Sequence, residues 1–84
     1  MKYFLYILQC YDNYLYTGIT SNIKKRLEEH RQGLCPLTKN RGSIKLVYRE
    51  EFNTRIEAAK REKEIKGWRR SKKLALIDKN ILSN

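Results

Sequence analysis

The chain has 84 residues and a formal net charge of +10 at pH 7, from 19 Lys and Arg against 9 Asp and Glu. A chain of this length can build only one core, so we expect a single small domain over residues 1–84. Its 40% hydrophobic content excludes intrinsic disorder. The excess of positive charge predicts a polyanionic partner, with nucleic acid ahead of an acidic membrane surface.

The first segment, MKYFLYILQC, places a basic residue before an apolar run, as a secretory leader does. The run is too short for a leader, Gln9 is not a small residue, and no cleavage site follows. We therefore predict a strand over residues 3–9, central in its sheet because both of its faces are apolar. Asp12 and Asn13 predict a hairpin turn into a second strand over residues 14–19.

The next segment begins with helix-capping residues. Asn22 can cap a helix over residues 22–32, and Gly33 is a C-terminal stop. Residues 34–42 hold a proline, a glycine and basic groups, which predicts a loop. Residues 44–49 alternate apolar and polar side chains and predict a third strand.

Two helices are predicted in the last third of the chain. Thr54 and Glu57 form a capping box for a helix that ends near Gly67. Ser71 is expected to cap a short last helix. Three apolar residues share one side of that helix: Leu74, Ile77 and Ile81. The predicted fold class is α+β, a small three-stranded antiparallel sheet flanked by about three helices.

Composition also limits the membrane and metal chemistry. No segment approaches the roughly 20 apolar residues that span a bilayer, so no membrane insertion is expected. Cys10 and Cys35 form no CxxC pair, and we expect reduced thiols in a cytoplasmic protein. Cys35 follows His30 closely, but the number of further Cys and His ligands is too small for zinc.

Two polar residues of the first helix lie on its apolar side. At about 100° per residue, Arg26 and His30 fall within roughly 60° of Ile23, whereas the other charged residues face away. A buried guanidinium is costly unless an anion or a hydrogen bond meets it. Arg26 is either a snorkelling side chain with a carboxylate partner or a functional cation. His30 is either a satisfied core histidine or part of a site.

Glu62 is a similar anomaly on the second helix. It lies on the small, apolar side of that helix, between Ala58 and Ala59. A carboxylate there is either a ligand for a hard divalent cation or the partner of Arg26. One carboxylate can suffice for Mg²⁺, which keeps several waters and binds substrate phosphate.

Tyr6 and Tyr16 lie on neighbouring predicted strands and point the same way in any register that places them opposite or nearly so. Packing alone favours tyrosine in strands. If the pair serves chemistry instead, a neighbouring cation such as Arg26 would stabilise the phenolate and lower the phenol pKa.

A dense run of positive charge covers residues 60–73, with eight basic residues against two acidic ones. The run is either a solvated helix face or, together with Lys39, Arg41 and Lys45, a track that contacts several phosphates. Trp68 lies within it and either stacks on an unpaired base or anchors a helix junction in the core.

These residues, in this order, resemble the GIY-YIG nuclease superfamily over nearly the whole chain. The first motif corresponds to residues 4–6 (FLY) and the second to residues 16–18 (YTG). The family's arginine and histidine fall on Arg26 and His30, and its metal-binding glutamate falls on Glu62 within EAAKREKEIK. The segments RGSIKLVY and WRRSKK are similar to those of small stand-alone bacterial members.

The resemblance implies a metal-dependent endonuclease that hydrolyses phosphodiester bonds. Glu62 would hold Mg²⁺ or Mn²⁺ as a Lewis acid, and Arg26 would bind the phosphate. Tyr6 or Tyr16 would be the general base, with the assignment open, and His30 would hydrogen-bond a tyrosine or the phosphate. Gly18 would let backbone approach closely at the turn. The other residues expected to contact phosphate or nucleic acid are Lys39, Arg41, Lys66, Arg69, Arg70, Lys72 and Lys73.

The chain departs from the family pattern in two motif positions and at a late asparagine. Phe4 replaces a glycine and Thr17 replaces an isoleucine, but neither position carries a reacting group. Asn80 and Asn84 are offset from where the asparagine is expected. We expect no separate DNA-recognition domain, which predicts low sequence specificity or specificity supplied by a protein partner.

DNA is favoured over RNA as the substrate, in branched or damaged forms such as those of DNA repair. The alternative function is a nucleic-acid-binding module that keeps the nuclease fold and does not cleave. A third interpretation is a basic accessory protein that docks on a ribonucleoprotein or an anionic membrane.

Overall fold

The computed structural model describes residues 1–82, the stretch 80–82 through its backbone alone. Within it lie strands β1 (Tyr3–Cys10), β2 (Leu15–Thr20) and β3 (Ile44–Phe52), and helices α1 (Ile23–Arg31), α2 (Arg55–Lys66) and α3 (Arg70–Leu82). The strands form one antiparallel sheet in the order β2-β1-β3. The α+β class and the central position of the first strand are confirmed. No helix in the described part of the chain is long and apolar enough to cross a bilayer.

The sheet carries helices on both faces. Leu5 of β1 is fully buried in a core cluster with Ile65 of α2 and Ile77 of α3. Because side chains alternate along a strand, Tyr6 points to the other face. There it meets His30 of α1. We call these the α2 face and the α1 face of the sheet.

Local signals begin and end the elements near the predicted places. Asn13 has a φ of 70° in the hairpin, and Gly33 has a φ of 76° after α1, conformations that Asn and Gly adopt at low cost. The Asn22 side chain accepts a hydrogen bond from the first turn of α1. Thr54 accepts from the backbone N–H of Glu57 at 3.2 Å, as a capping box requires.

The third strand is longer than predicted. Its predicted end at residue 49 is too early, because β3 continues to Phe52, which packs against the core. Glu50 is tolerated inside the strand because Arg61 of α2 lies 2.9 Å from its carboxylate. The local sequence does not indicate this ion pair between a helix and a strand.

The last helix also differs from its prediction. Ser71 is not its cap, because the backbone N–H groups of Lys72 and Lys73 bond the carbonyl of Arg69 and α3 begins at Arg70. The helix has 13 residues, one more than the 12 of α2, and so is not short. Two of the predicted core positions, Leu74 and Ile77, do pack on the core. The side chains of Asn80 and Ile81, and Asn84 entirely, lie outside the described residues.

Candidate active site

The phenol of Tyr6 is the centre of a hydrogen-bond network that joins β1 to α1. Nε of Arg26 donates to Oη of Tyr6 at 3.3 Å, and Nε2 of His30 lies 3.2 Å from the same oxygen. Tyr6 is 1% exposed and His30 is 3% exposed. Arg26 and His30 reach one phenol together because helical residues four apart lie on the same face.

His30 is held from its other side by the loop that follows α1. Nδ1 of His30 lies 2.8 Å from Oγ1 of Thr38, and the Thr38 hydroxyl donates to the carbonyl of Cys35 at 3.4 Å. A hydroxyl whose proton is used in this way accepts from Nδ1–H, so we assign the imidazole proton to Nδ1. Nε2 then carries a lone pair and accepts the hydrogen bond of the Tyr6 hydroxyl.

Burial sets the protonation states of this cluster. Desolvation lowers the pKa of His30 below its ordinary value and the Arg26 cation lowers it further, so His30 is neutral at pH 7. Desolvation raises the pKa of Tyr6 to about 12, although the hydrogen bond from Arg26 opposes the shift. Burial also raises the pKa of Tyr16. Arg26 does lower the phenol pKa, as predicted, but desolvation outweighs it and the net pKa of Tyr6 is raised.

Arg26 has a carboxylate partner on its own helix. Its Nη1 lies 3.0 Å from Oε1 of Glu29, and the two side chains are 38% and 33% exposed. The alternative in which Glu62 is the partner of Arg26 is therefore wrong. A pair this exposed contributes about 0–1 kcal/mol to stability. An incoming anion can therefore compete for the guanidinium at little cost.

Tyr16 completes the cluster from the edge strand β2. The centroid of its ring lies 4.9 Å from that of His30 and 6.1 Å from that of Tyr6. Arg26 and Cys35 lie close enough to its hydroxyl to influence its pKa. Tyr16 is half-buried, whereas Tyr6 is enclosed. Tyr16 is therefore the phenol that a ligand can reach.

Gly18 makes room for the two phenols. It lies within β2 opposite Tyr6, not at the turn where the sequence placed it. A Cβ atom at this position would lie 2.7 Å from Oη of Tyr6 and 3.0 Å from Cε2 of Tyr16. Space for these side chains, rather than turn geometry, is what requires glycine here.

Glu62 lies in the other helical layer. Arg61 reaches Glu50 of β3, and consecutive helical residues point about 100° apart. Glu62 therefore points to the opposite flank of α2, towards β2. Its Oε2 lies 3.2 Å from Nζ of Lys66, and its side chain is 23% exposed.

The structure brings together four of the five groups expected to converge. Tyr6, Tyr16, Arg26 and His30 meet on the α1 face. Within the described residues, no hydrogen bond or ion pair joins Glu62 to them. The helix that carries Glu62 packs on β1 and β2, the strands that carry Tyr6 and Tyr16.

A metal ion at Glu62 agrees with the donor chemistry on this side of the sheet. No three His, Cys, Asp or Glu side chains of the described part of the chain are grouped to hold a metal, so a metal at Glu62 would have few charged protein ligands. Mg²⁺ accepts such a site because waters and phosphate complete its coordination. The buried hydroxyl of Thr17, which has no hydrogen-bond partner, is a further oxygen on this side of β2.

The basic residues expected to form one track fall into two groups. Lys39 and Arg41 lie in the loop after α1, and Arg41 is already engaged with Asp12 at 2.9 Å and with the ring of Tyr14 at 4.0 Å. The second group lies at the end of α2 and the start of α3 and comprises Lys66, Arg69, Arg70, Lys72 and Lys73. Trp68 packs against the core, in line with its interpretation as a core anchor, and Nζ of Lys72 lies 4.3 Å from its ring centroid.

Thr38 and Cys35 were missed by the sequence analysis. Thr38 contacts His30 and the carbonyl of Cys35 through a loop that folds back over α1, and no periodic pattern marks such contacts. The one available signal was the second ring nitrogen of His30, which needs a partner if the residue is buried.

A three-stranded sheet with a phenol from each strand of its hairpin, facing an arginine and a histidine of the next helix, defines the GIY-YIG class of domain. The family model described as the GIY-YIG catalytic domain matches residues 2–75, and this chain belongs to the GIY-YIG family. The family is a nuclease family, which implies a nucleic-acid substrate. Its members generally use divalent metal ions.

Small bacterial proteins are similar to this chain over nearly their full length. A UPF0213 protein of Staphylococcus saprophyticus is 48% identical over 77 residues, which cover 90% of this chain and 94% of that protein. The solution NMR structure of the UPF0213 protein BH0048 from Bacillus halodurans has a TM-score of 0.62 at 35% identity, with 93% and 84% of the two chains covered. The solution NMR structure of the protein EF2693 from E. faecalis has a TM-score of 0.69 at 31% identity. The match covers 98% of this chain and 88% of that chain.

Proposed function

We propose that this protein is an endonuclease that hydrolyses DNA phosphodiester bonds with one divalent cation, Mg²⁺ or Mn²⁺, and with low sequence specificity. The observation that carries the proposal is the contact of both Arg26 and His30 with Tyr6. It joins a permanent cation, a neutral base and a phenol in one cluster, which Tyr16 borders. The net charge of +10 supports a polyanionic substrate.

Arg26 is the group assigned to the scissile phosphate. Its hydrogen bond to Tyr6 fixes the side chain, and its exposed pair with Glu29 can yield to a phosphate oxygen. Charge-assisted hydrogen bonds to phosphate strengthen as negative charge builds on it in the transition state. Removal of one such donor costs about 10²–10³-fold in rate.

Tyr16 is the phenol assigned to the attacking water. Tyr6 is enclosed and its hydroxyl already bonds His30, whereas Tyr16 is half-buried at the edge strand. In its phenolate form Tyr16 takes a proton from water, and the resulting hydroxide attacks phosphorus. The bond from phosphorus to the leaving oxygen breaks, and that oxygen takes a proton from solvent. Tyr6 and His30 hold Arg26 in position.

Glu62 is the residue assigned to the cation. Its carboxylate is a hard oxygen donor, and its side chain is 23% exposed. Within the described residues its only ion pair is with Lys66 of the same helix. When bound, Mg²⁺ supplies Lewis-acid stabilisation of the charge on phosphate and leaving oxygen. The part played by this chain is to present the carboxylate beside β2, the strand that carries Tyr16.

The test is nicking of supercoiled plasmid in the presence of Mg²⁺ or Mn²⁺. We expect Arg26→Ala to lower the rate about 10²–10³-fold and Glu62→Gln to remove metal-dependent cleavage, while both variants still bind DNA. Arg31→Ala and Glu51→Gln are matched controls, because they make the same charge changes at exposed positions of α1 and β3.

Two results would count against the proposal. If the parent cleaves neither duplex, branched nor single-stranded DNA with either metal, the enzyme assignment fails. If Glu62→Gln cleaves as fast as the parent, the metal assignment fails alone. An RNA duplex in the same panel tests the preference for DNA.

The alternative is a nucleic-acid-binding module without cleavage. It is favoured by the pairing of Glu62 with Lys66 and by the lack, within the described residues, of any group of three His, Cys, Asp or Glu side chains that could hold a metal. Binding of DNA with a steep salt dependence, unchanged by Glu62→Gln and with no product under any metal condition, would select it.

A further inference from the structure

Thr17 carries a buried hydroxyl for which the described residues supply no partner. The residue is 4% exposed, and its Oγ1 makes no hydrogen bond. An unpaired hydroxyl in this environment destabilises the folded chain, whereas an aliphatic side chain of similar size would not. Such a group calls for an explanation in terms of something that meets it.

The hydroxyl lies on the side of the sheet that carries Glu62. Thr17 pairs with Ile7 in the strand register, and Ile7 belongs to the core cluster that includes Ile65 of α2. Thr17 therefore points to the α2 face. Glu62 occupies the flank of α2 turned towards β2, since Arg61 occupies the flank turned towards β3. The unpaired hydroxyl and the proposed metal ligand thus border the same interface of β2 with α2.

We infer that Thr17 is a positioning residue for Glu62, and that its hydroxyl donates a hydrogen bond to the Glu62 carboxylate when this carboxylate turns from Lys66 to a divalent cation. The inference rests on the proposed function, since it takes Glu62 as the metal ligand. The pair of Glu62 with Lys66 is open to water on the lysine side, which is 53% exposed, so it restrains the carboxylate weakly. A donor from the rigid sheet would orient the carboxylate, as outer-shell partners of metal ligands do.

Thr17→Val is the informative change, because it removes the hydroxyl at nearly constant side-chain size. The readouts are Mn²⁺ affinity, measured by electron paramagnetic resonance without nucleic acid, and thermal unfolding. We expect Thr17→Val to raise Tm by about 4 °C and to weaken Mn²⁺ binding about 10–100-fold. Thr17→Ser keeps the hydroxyl and should keep the parental affinity. If Thr17 had a packing role alone, Thr17→Val would not weaken Mn²⁺ binding while it stabilises the fold.

Ile7→Val is the matched control, because it alters the packing next to Thr17 and touches no polar group. It should lower Tm and leave Mn²⁺ affinity unchanged. Parental affinity in Thr17→Val, with binding abolished by Glu62→Gln, would overturn the inference and leave the proposed function standing. Equal loss of affinity in Thr17→Val and Ile7→Val would also overturn it. An Mn²⁺ affinity that is unchanged in Glu62→Gln would overturn both the inference and the metal assignment.

Discussion

The hydroxyl of Thr38 lies 2.8 Å from Nδ1 of His30. Because the Thr38 hydroxyl donates to the carbonyl of Cys35, it accepts from Nδ1–H, and we therefore assign Nε2 as the acceptor of the Tyr6 hydroxyl. A loop residue thus sets the hydrogen-bonding role of a helix residue at the centre of the site.

Thr38→Val should destabilise the protein. The change leaves the buried Nδ1–H of His30 without an acceptor, which costs about 1–3 kcal/mol. Thr38→Ser retains the hydroxyl and should retain most of that free energy of unfolding. Urea unfolding followed by circular dichroism measures both values. Equal stability of Thr38→Val and the parent would show that the contact is not needed, and ¹⁵N NMR that found Nε2 protonated in the parent would contradict the tautomer.

Gly18→Ala should be poorly tolerated. Its Cβ would lie 2.7 Å from Oη of Tyr6, a side chain that is 1% exposed and cannot move aside freely. We expect a loss of about 1–3 kcal/mol in the free energy of unfolding, partly restored by adding Tyr6→Phe, which removes the closest atom.

Gly67→Ala is the matched control for that experiment. At Gly67 the φ is −81° and the nearest atom to an added Cβ, the carbonyl oxygen of Glu64, lies at 3.5 Å. This substitution should be neutral or stabilise by about 0.4–1 kcal/mol. Equal destabilisation by the two alanines would rule out the steric explanation for Gly18.

The free energy of unfolding should fall as the solution becomes mildly acidic. Burial and the Arg26 cation hold the pKa of His30 in the folded state below its ordinary value of 6.5. The unfolded chain therefore binds a proton more readily than the folded chain, so stability is full above pH 6.5 and declines as pH falls towards the folded pKa. Urea unfolding at several pH values between about 5.5 and 7.5 measures this slope. His30→Gln should lack it, and a slope of equal size in that variant would assign the effect to other groups.

The nicking rate should rise with pH through the neutral and mildly alkaline range. Burial raises the pKa of Tyr16 above its ordinary value of 10.0, so its phenolate fraction, and with it the rate, should increase about tenfold per pH unit up to about pH 9. Single-turnover rates at saturating metal give the profile. Tyr16→Phe should lose this activity, whereas Tyr11→Phe, at a position that is 81% exposed, should keep it. A bell-shaped profile centred near neutral pH would exclude the phenolate as the base.

The secondary structure could be predicted closely because its signals are local. The turn at Asn13, the stop at Gly33 and the capping box of Thr54 act within a few residues of themselves. The prediction failed at the end of β3, where a distant residue intervened, and at the start of α3, where a neighbouring backbone carbonyl did. Arg61 supports Glu50 inside β3 and extends that strand, and the carbonyl of Arg69, rather than the side chain of Ser71, receives the first backbone bonds of α3.

The sequence by itself determined that Arg26 and His30 share a helical face, since the period of the helix places residues four apart on one side. Only the tertiary structure decided what that face meets and in which protonation state. Burial of Tyr6 depends on the closing of α1 over the sheet, and it raises the phenol pKa that the cation alone would have lowered. The layer of Glu62, likewise, follows from which face of β1 each helix covers. Spacing along a chain fixes direction around a helix, but desolvation and layer order depend on all the elements that pack together.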